Sequence, residues 1–60
     1  MVSPIDIQKA LSGLDYPATK QQIIEHAERN GADQQVLEAL RKIEDREYEG
    51  PSGVSKAVFD

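Results

Sequence analysis

Three times within sixty residues the chain spells out the start of a helix, and that repetition constrains its fold more than any other feature. In Val2-Ser3-Pro4-Ile5-Asp6-Ile7, Ser3 is a capping residue, Pro4 suits the first helical position and Asp6 can answer the cap three residues on. Val2 and Ile7 are spaced for a hydrophobic staple. The same grammar returns in Ala18-Thr19-Lys20-Gln21-Gln22-Ile23, with Thr19 as cap, Gln22 as its partner and Ala18 set to touch Ile23. Asp33 is the third cap, with Ala32 and Leu37 as its flanking apolar pair.

Apolar spacing and glycine stops then bound the helices. Ile7, Ala10, Leu11 and Leu14 follow the i, i+3, i+4, i+7 rule before Gly13 turns the chain, which predicts a first helix over about 4–12. Tyr16-Pro17 is an extended approach to the second, because a residue before proline avoids helical torsions. That helix runs over about 20–30, with Ile23, Ile24 and Ala27 inward and Arg29-Asn30-Gly31 as its stop. A third follows over about 34–44 with Val36, Leu37, Leu40 and Ile43 on one face; extending it far would place Glu44 and Glu47 on the apolar stripe, so it stops near Glu44. Residues 45–49 read as a loop anchored by Tyr48, and Gly50-Pro51 opens a short fourth helix over about 51–58 carrying Val54, Ala57 and Val58. No strand alternation is visible, and the cap sites are not followed by repeating side chains. The expectation is one all-α domain over 1–60, a compact bundle of three to four helices.

Size and charge narrow the function. A chain this short buries only about 60% of the surface that its unfolded form exposes. It has no cysteine for a disulfide and one histidine, too few for a structural zinc site, so neither common staple of small domains is present. No cofactor or metal is expected. The start of the chain lacks the basic and apolar regions of a secretory leader, and no apolar run could span a bilayer, so a cytoplasmic location without membrane contact is expected. The net charge of -4 opposes diffuse attraction to phosphate. Most of that excess lies in Glu44-Asp45-Arg46-Glu47-Tyr48-Glu49, leaving the helical body close to neutral.

Catalysis finds no equipment here. Nucleophilic chemistry needs an activated Ser, Cys, Thr or Lys beside an oriented base, and the lone His26 falls at the boundary of the buried face of the second helix, where a hydrogen bond to a neighbouring loop accounts for it. Asp45-x-Glu47-x-Glu49-Gly50 imitates the first half of a calcium loop, but Lys56 stands where the bidentate carboxylate belongs and Pro51 follows the glycine. The chain is not expected to be an enzyme.

Two surfaces stand out as candidates. The second helix, the turn at Gly31-Ala32 and the third helix resemble a helix-turn-helix unit that would present Gln34, Gln35, Arg41 and Lys42 to a nucleic acid, with the amides suited to adenine edges and the cations to phosphate. Asp33 and Glu38 on the same helix oppose that use. At the other end, Val54, Val58 and Phe59 form an apolar candidate for contact with a protein partner or a second copy.

The pattern Leu11-x-Gly13-Leu14-Asp15-Tyr16-Pro17-Ala18, then Ile24-x-His26-Ala27-x-x-Asn30-Gly31-Ala32, Val36-Leu37-x-x-Leu40 and Tyr48-x-x-Pro51-x-x-Val54-x-Lys56-Ala57, resembles the short bacterial proteins grouped as domain of unknown function 2795. The likeness covers about residues 7–58 and implies a small helical fold; it carries over no catalytic residue. Gly13, Tyr16, Pro17, Gly31, Tyr48 and Pro51 all fall in expected connections, so the shared pattern is one of turn geometry and loop anchoring. The function expected is that of a non-catalytic helical domain for protein interaction or self-association, with nucleic-acid binding as the alternative.

Overall fold

Ser3 caps α1 (Pro4–Ala10) in the computed structural model, which describes residues 2–60. The Ser3 amide donates to Asp6 Oδ2 at 2.9 Å and the Asp6 amide donates back to Ser3 Oγ at 3.3 Å. These bonds serve donors that a helix start leaves without an intrahelical partner. They also hold the Asp6 carboxyl below its usual range, because the Ser3 amide, and then its hydroxyl, bond to the ionised form. α2 (Lys20–Arg29) starts in the same way: the Thr19 amide donates to Gln22 Oε1 at 2.9 Å and the Gln22 amide to Thr19 Oγ1 at 3.2 Å. α3 (Gln34–Arg41) has a simpler start, with Asp33 Oδ1 accepting from the Val36 amide at 3.0 Å. α4 (Pro51–Phe59) begins on Gly50, which has no side chain to cap it, although Pro51 at the first position removes one orphan donor.

All four expected helices are present, with their ends displaced. α1 stops at Ala10, short of 12, and α3 stops at Arg41, short of 44. Beyond each end the chain continues in tighter turns: the Leu14 amide donates to the Leu11 carbonyl at 3.1 Å, and the Ile43 amide to the Leu40 carbonyl at 3.4 Å. Those i→i+3 turns keep Leu11 and Ile43 in the core after the α-helical torsions have ended. α2 ends at Arg29, one residue early, in a Schellman arrangement. There Gly31 has φ +76°, its amide donates to the Glu28 carbonyl at 3.1 Å, and the Ala32 amide donates to the Ala27 carbonyl at 3.0 Å. α4 runs one residue longer than expected, to Phe59.

Beside the helices the chain forms one two-stranded sheet where no alternation marks the sequence. β1 (Ala18–Thr19) pairs antiparallel with β2 (Glu47–Tyr48), placing Ala18 opposite Tyr48 and Thr19 opposite Glu47. Two residues are too few for alternation to show in a sequence, yet the period of two is there: Ala18 and Tyr48 turn inward while Thr19 and Glu47 face out. The 45–49 segment therefore ends in a strand rather than remaining a loop throughout. Tyr48 does anchor it, since its ring is buried and its hydroxyl donates to the Glu44 carbonyl at 2.6 Å.

Around this bridge, α1 packs against the other three helices, and α2 and α3 pack against each other. The core gathers the stripes expected from periodicity, with Ile7, Ile23, Leu40, Tyr48 and Val54 fully enclosed. Each half of the chain is thus a helix, a strand and a helix (α1-β1-α2, then α3-β2-α4), joined at residues 30–33.

Candidate functional site

His26 lies on α2 where the sequence places it, at the edge of the buried face, and its Nε2 lies 2.6 Å from the Ser12 carbonyl. A carbonyl only accepts, so Nε2 carries the proton. Asn30, expected only as a helix stop, adds to the same contact: its Nδ2 donates to the Ala10 carbonyl at 2.9 Å and the Ser12 carbonyl at 3.0 Å. Together the two side chains of α2 serve carbonyls that the end of α1 leaves free. A ring nitrogen held against a backbone carbonyl is a clasp between helices. Nearby carboxylates have similar local duties, Glu25 accepting from Gln21 at 3.3 Å and Glu38 from Gln34 at 3.3 Å.

The candidate apolar surface divides. Val54 is fully buried beneath α4 and belongs to the core, so it is unavailable to a partner; this corrects its place in the expected patch. Val58 is partly buried and packs against that core, whereas Phe59 is 45% exposed. Helix geometry separates them, because at about 100° per residue Phe59 lies about 140° around α4 from Val54. Ile5, absent from the expected patch, is the most exposed large apolar side chain among the described residues, at 61%. A helical wheel contains that signal: Ile5 is about 200° from Ile7, on the far side of α1 from the core stripe.

On α3, Gln34, Gln35, Arg41 and Lys42 are all exposed, as a reading face requires. Glu38 is exposed among them. Lys42, the C-cap residue, also lines a depression with Arg46 and Lys56, floored by Ile43 and Ala57 and edged by Glu44 and Asp60. Arg46 is pinned in place: its Nε is 3.0 Å from Glu44 Oε1, Nη1 donates to the Glu47 carbonyl at 3.2 Å, and the guanidinium lies 4.1 Å from the centre of the Tyr48 ring. On the other side of Arg46 and Gly53 is a second depression, lined by Glu47, Glu49 and Ser52. A hollow carrying Lys42 and Lys56, which follows α4 from Gly53 to Asp60, therefore sits beside an anionic one at the start of that helix. The acidic residues Asp45, Glu47 and Glu49 do not close on a common point, and among the described residues no three His, Asp or Glu side chains converge as metal ligands would.

Residues 2–55 match the model of the family described as protein of unknown function (DUF2795). The chain belongs to this family. No curated protein and no solved structure matches it. The family match spans both helix-strand-helix halves and ends within α4, just past the buried Val54. No helix among the described residues is long and apolar enough to cross a membrane.

Proposed function

We propose that this family member is a non-catalytic cytoplasmic interaction module that associates with protein, in the first instance with a second copy of itself, through apolar side chains outside its core. The observation that carries the reading is the position of Phe59. The chain has one phenylalanine and two tyrosines; it encloses Tyr48, packs Tyr16 against the core and leaves Phe59 45% exposed. Burying such a side chain is worth about 1.5–3 kcal/mol, and a fold this small forgoes that gain unless another surface supplies it. Ile5 on α1 adds a second uncovered apolar group.

Sedimentation velocity from micromolar to millimolar protein tests the reading. The expected result is a mass that rises with concentration, and a Phe59→Ser variant that stays monomeric with an unchanged melting temperature. A wild-type chain that is monomeric throughout this range overturns it.

Nucleic-acid binding through α2, the 30–33 turn and α3 is a second reading, favoured by the exposure of Gln34, Gln35, Arg41 and Lys42 and by the grouping of Lys42 with Arg46 and Lys56. Asp33, Glu38 and the net charge of -4 weigh against it. It predicts a duplex complex that weakens steeply with salt and is lost in the Arg41→Ala, Lys42→Ala double variant; no complex at low salt removes it.

A further inference from the structure

We infer that the surface formed by the turn before α4 and the exposed side of α4 makes a twofold, self-complementary contact with a second copy of the chain, in which Glu47 and Glu49 of each copy meet Lys42 and Lys56 of the other. This rests on the self-association reading and specifies its geometry. A twofold contact uses the same patch on both partners, so it requires a surface carrying both halves of its own complement side by side. The two depressions beside Arg46 and Gly53 meet that condition. One carries the exposed cations Lys42 and Lys56, and the other the exposed carboxylates Glu47 and Glu49. Among the described residues none of these four side chains is in an ion pair. Arg46, between the two hollows, already has partners for its charge in Glu44 and the Tyr48 ring. A rotation axis passing near Arg46 and Gly53 lays the anionic hollow of one copy over the cationic hollow of the other.

The apolar component is adjacent. Phe59 lies three residues beyond Lys56, a neighbouring position on a helical surface, so the same contact can cover the exposed ring. The alternative occupant of the cationic hollow, a phosphate backbone, would bring its charge towards Glu44 and Asp60 on the rim and towards Glu47 and Glu49 next door. For a second copy, Glu44 and Asp60 oppose the incoming carboxylates as they would a phosphate, whereas Glu47 and Glu49 next door face the partner's lysines and become part of the attraction.

Charge exchange tests the arrangement, using the 60-residue chain at low salt. Lys56→Glu and Glu49→Lys are each expected to weaken dimerisation about tenfold or more, because a symmetric contact contains every substitution twice and sets like charges against each other. The double variant is expected to recover the wild-type dissociation constant. An equimolar mixture of the two single variants is expected to associate more tightly than either alone, since both of its cross contacts are matched. All four positions are exposed, and unchanged melting curves confirm that each variant is folded. Dimerisation that ignores both exchanges overturns the twofold contact while leaving self-association standing. A chain that stays monomeric up to millimolar concentration overturns both. Duplex binding that disappears with Lys56→Glu assigns the cationic hollow to nucleic acid and also overturns the proposal.

Discussion

The two halves of this domain reach one architecture by different local means. In each, a helix ends in a tight turn, a two-residue strand crosses to its counterpart, and a second helix begins whose fourth residue is fully buried: Ile23 in α2 and Val54 in α4. The leucines that close the first helices, Leu11 and Leu40, each accept a bond from an apolar residue three positions later, Leu14 and Ile43. The helix starts differ. α1 and α2 each have a reciprocal capping box, α3 has a one-sided cap, and α4 starts on an uncapped glycine. In the first half Thr19 is both strand residue and cap, whereas Glu49 and Gly50 separate β2 from α4 in the second. What replaces the capping signals there is a buried anchor, the enclosed Tyr48 ring, which pairs across the strands with Ala18 and is steadied locally by its bond to the Glu44 carbonyl and by Arg46 against its face.

Removing that anchor tests the contrast most severely. Tyr48→Ala vacates a fully enclosed aromatic site, a change that costs about 3–5 kcal/mol, comparable to the whole stability that a core of this size supplies. The expected outcome is a chain unfolded at room temperature, seen as loss of the helical circular dichroism signal. A cooperative melt close to that of the wild type would mean that the second half is held by its helices alone.

A smaller effect is expected at the caps, and it is expected to be unequal. Thr19→Ala removes the side-chain acceptor at the start of α2 and should cost about 1 kcal/mol in a thermal or urea melt. Gly50→Ala removes no side-chain bond, a β-carbon there meets nothing within 4 Å and the backbone is extended, so the poorer capping rank of alanine is offset by the smaller entropy of its unfolded chain and a net change of only a few tenths of a kcal/mol is expected. Equal losses at the two sites would show that the halves do not differ in how their second helices are started.

The unequal grammar also explains what could be read from the sequence. The helices were legible because their caps, stops and apolar spacing are local: Ser3 to Asp6, Thr19 to Gln22 and Ala27 to Gly31 are all within one or two turns. The strands were not, since Ala18 finds Tyr48 thirty residues away through the fold and neither residue advertises the pairing. Similarly, Asn30 looked like a stop for its own helix, while its side chain serves the end of α1, which only the packing of α1 on α2 reveals. In the candidate interface, Phe59 is legible as an apolar end, but apolarity alone does not separate it from Val54, which the packing of α4 puts on the opposite, buried side. The cationic hollow was half visible, since Lys42 was named while Lys56 and Arg46 join it only through the turn between α3 and α4.

The two tyrosines sharpen the comparison at the level of single atoms. Tyr16, in the first connection, packs against the core with its hydroxyl buried and without a hydrogen-bond partner among the described residues, and burial raises its pKa above the ordinary tyrosine value. Tyr48, in the second, has its hydroxyl bonded. Tyr48→Phe is therefore expected to cost about 1 kcal/mol, whereas Tyr16→Phe removes an unpaired polar atom and is expected to be neutral or stabilising. Urea denaturation of the two variants in parallel checks this; equal destabilisation would mean that the Tyr16 hydroxyl is satisfied in solution.

The smallest expected effect concerns acid. Asp6 is the carboxylate in the α1 capping box, and its pKa is lowered in the folded chain by the hydrogen bonds from Ser3. A depressed folded-state pKa means that the unfolded chain takes up this proton first as pH falls. The contribution of Asp6 is therefore complete above the ordinary aspartate range, and it is lost progressively as pH drops through that range to the folded-state value. Gln22, its counterpart in the α2 box, carries no titratable group, so acid should loosen the start of α1 and leave the α2 box intact. Asp6→Asn is expected to lower stability slightly at neutral pH and to flatten the acid limb of a melting temperature against pH curve, while Gln22→Ala should lower the whole curve without changing its slope. An acid limb unchanged in Asp6→Asn would place the acid sensitivity in other carboxylates and remove this difference between the two boxes.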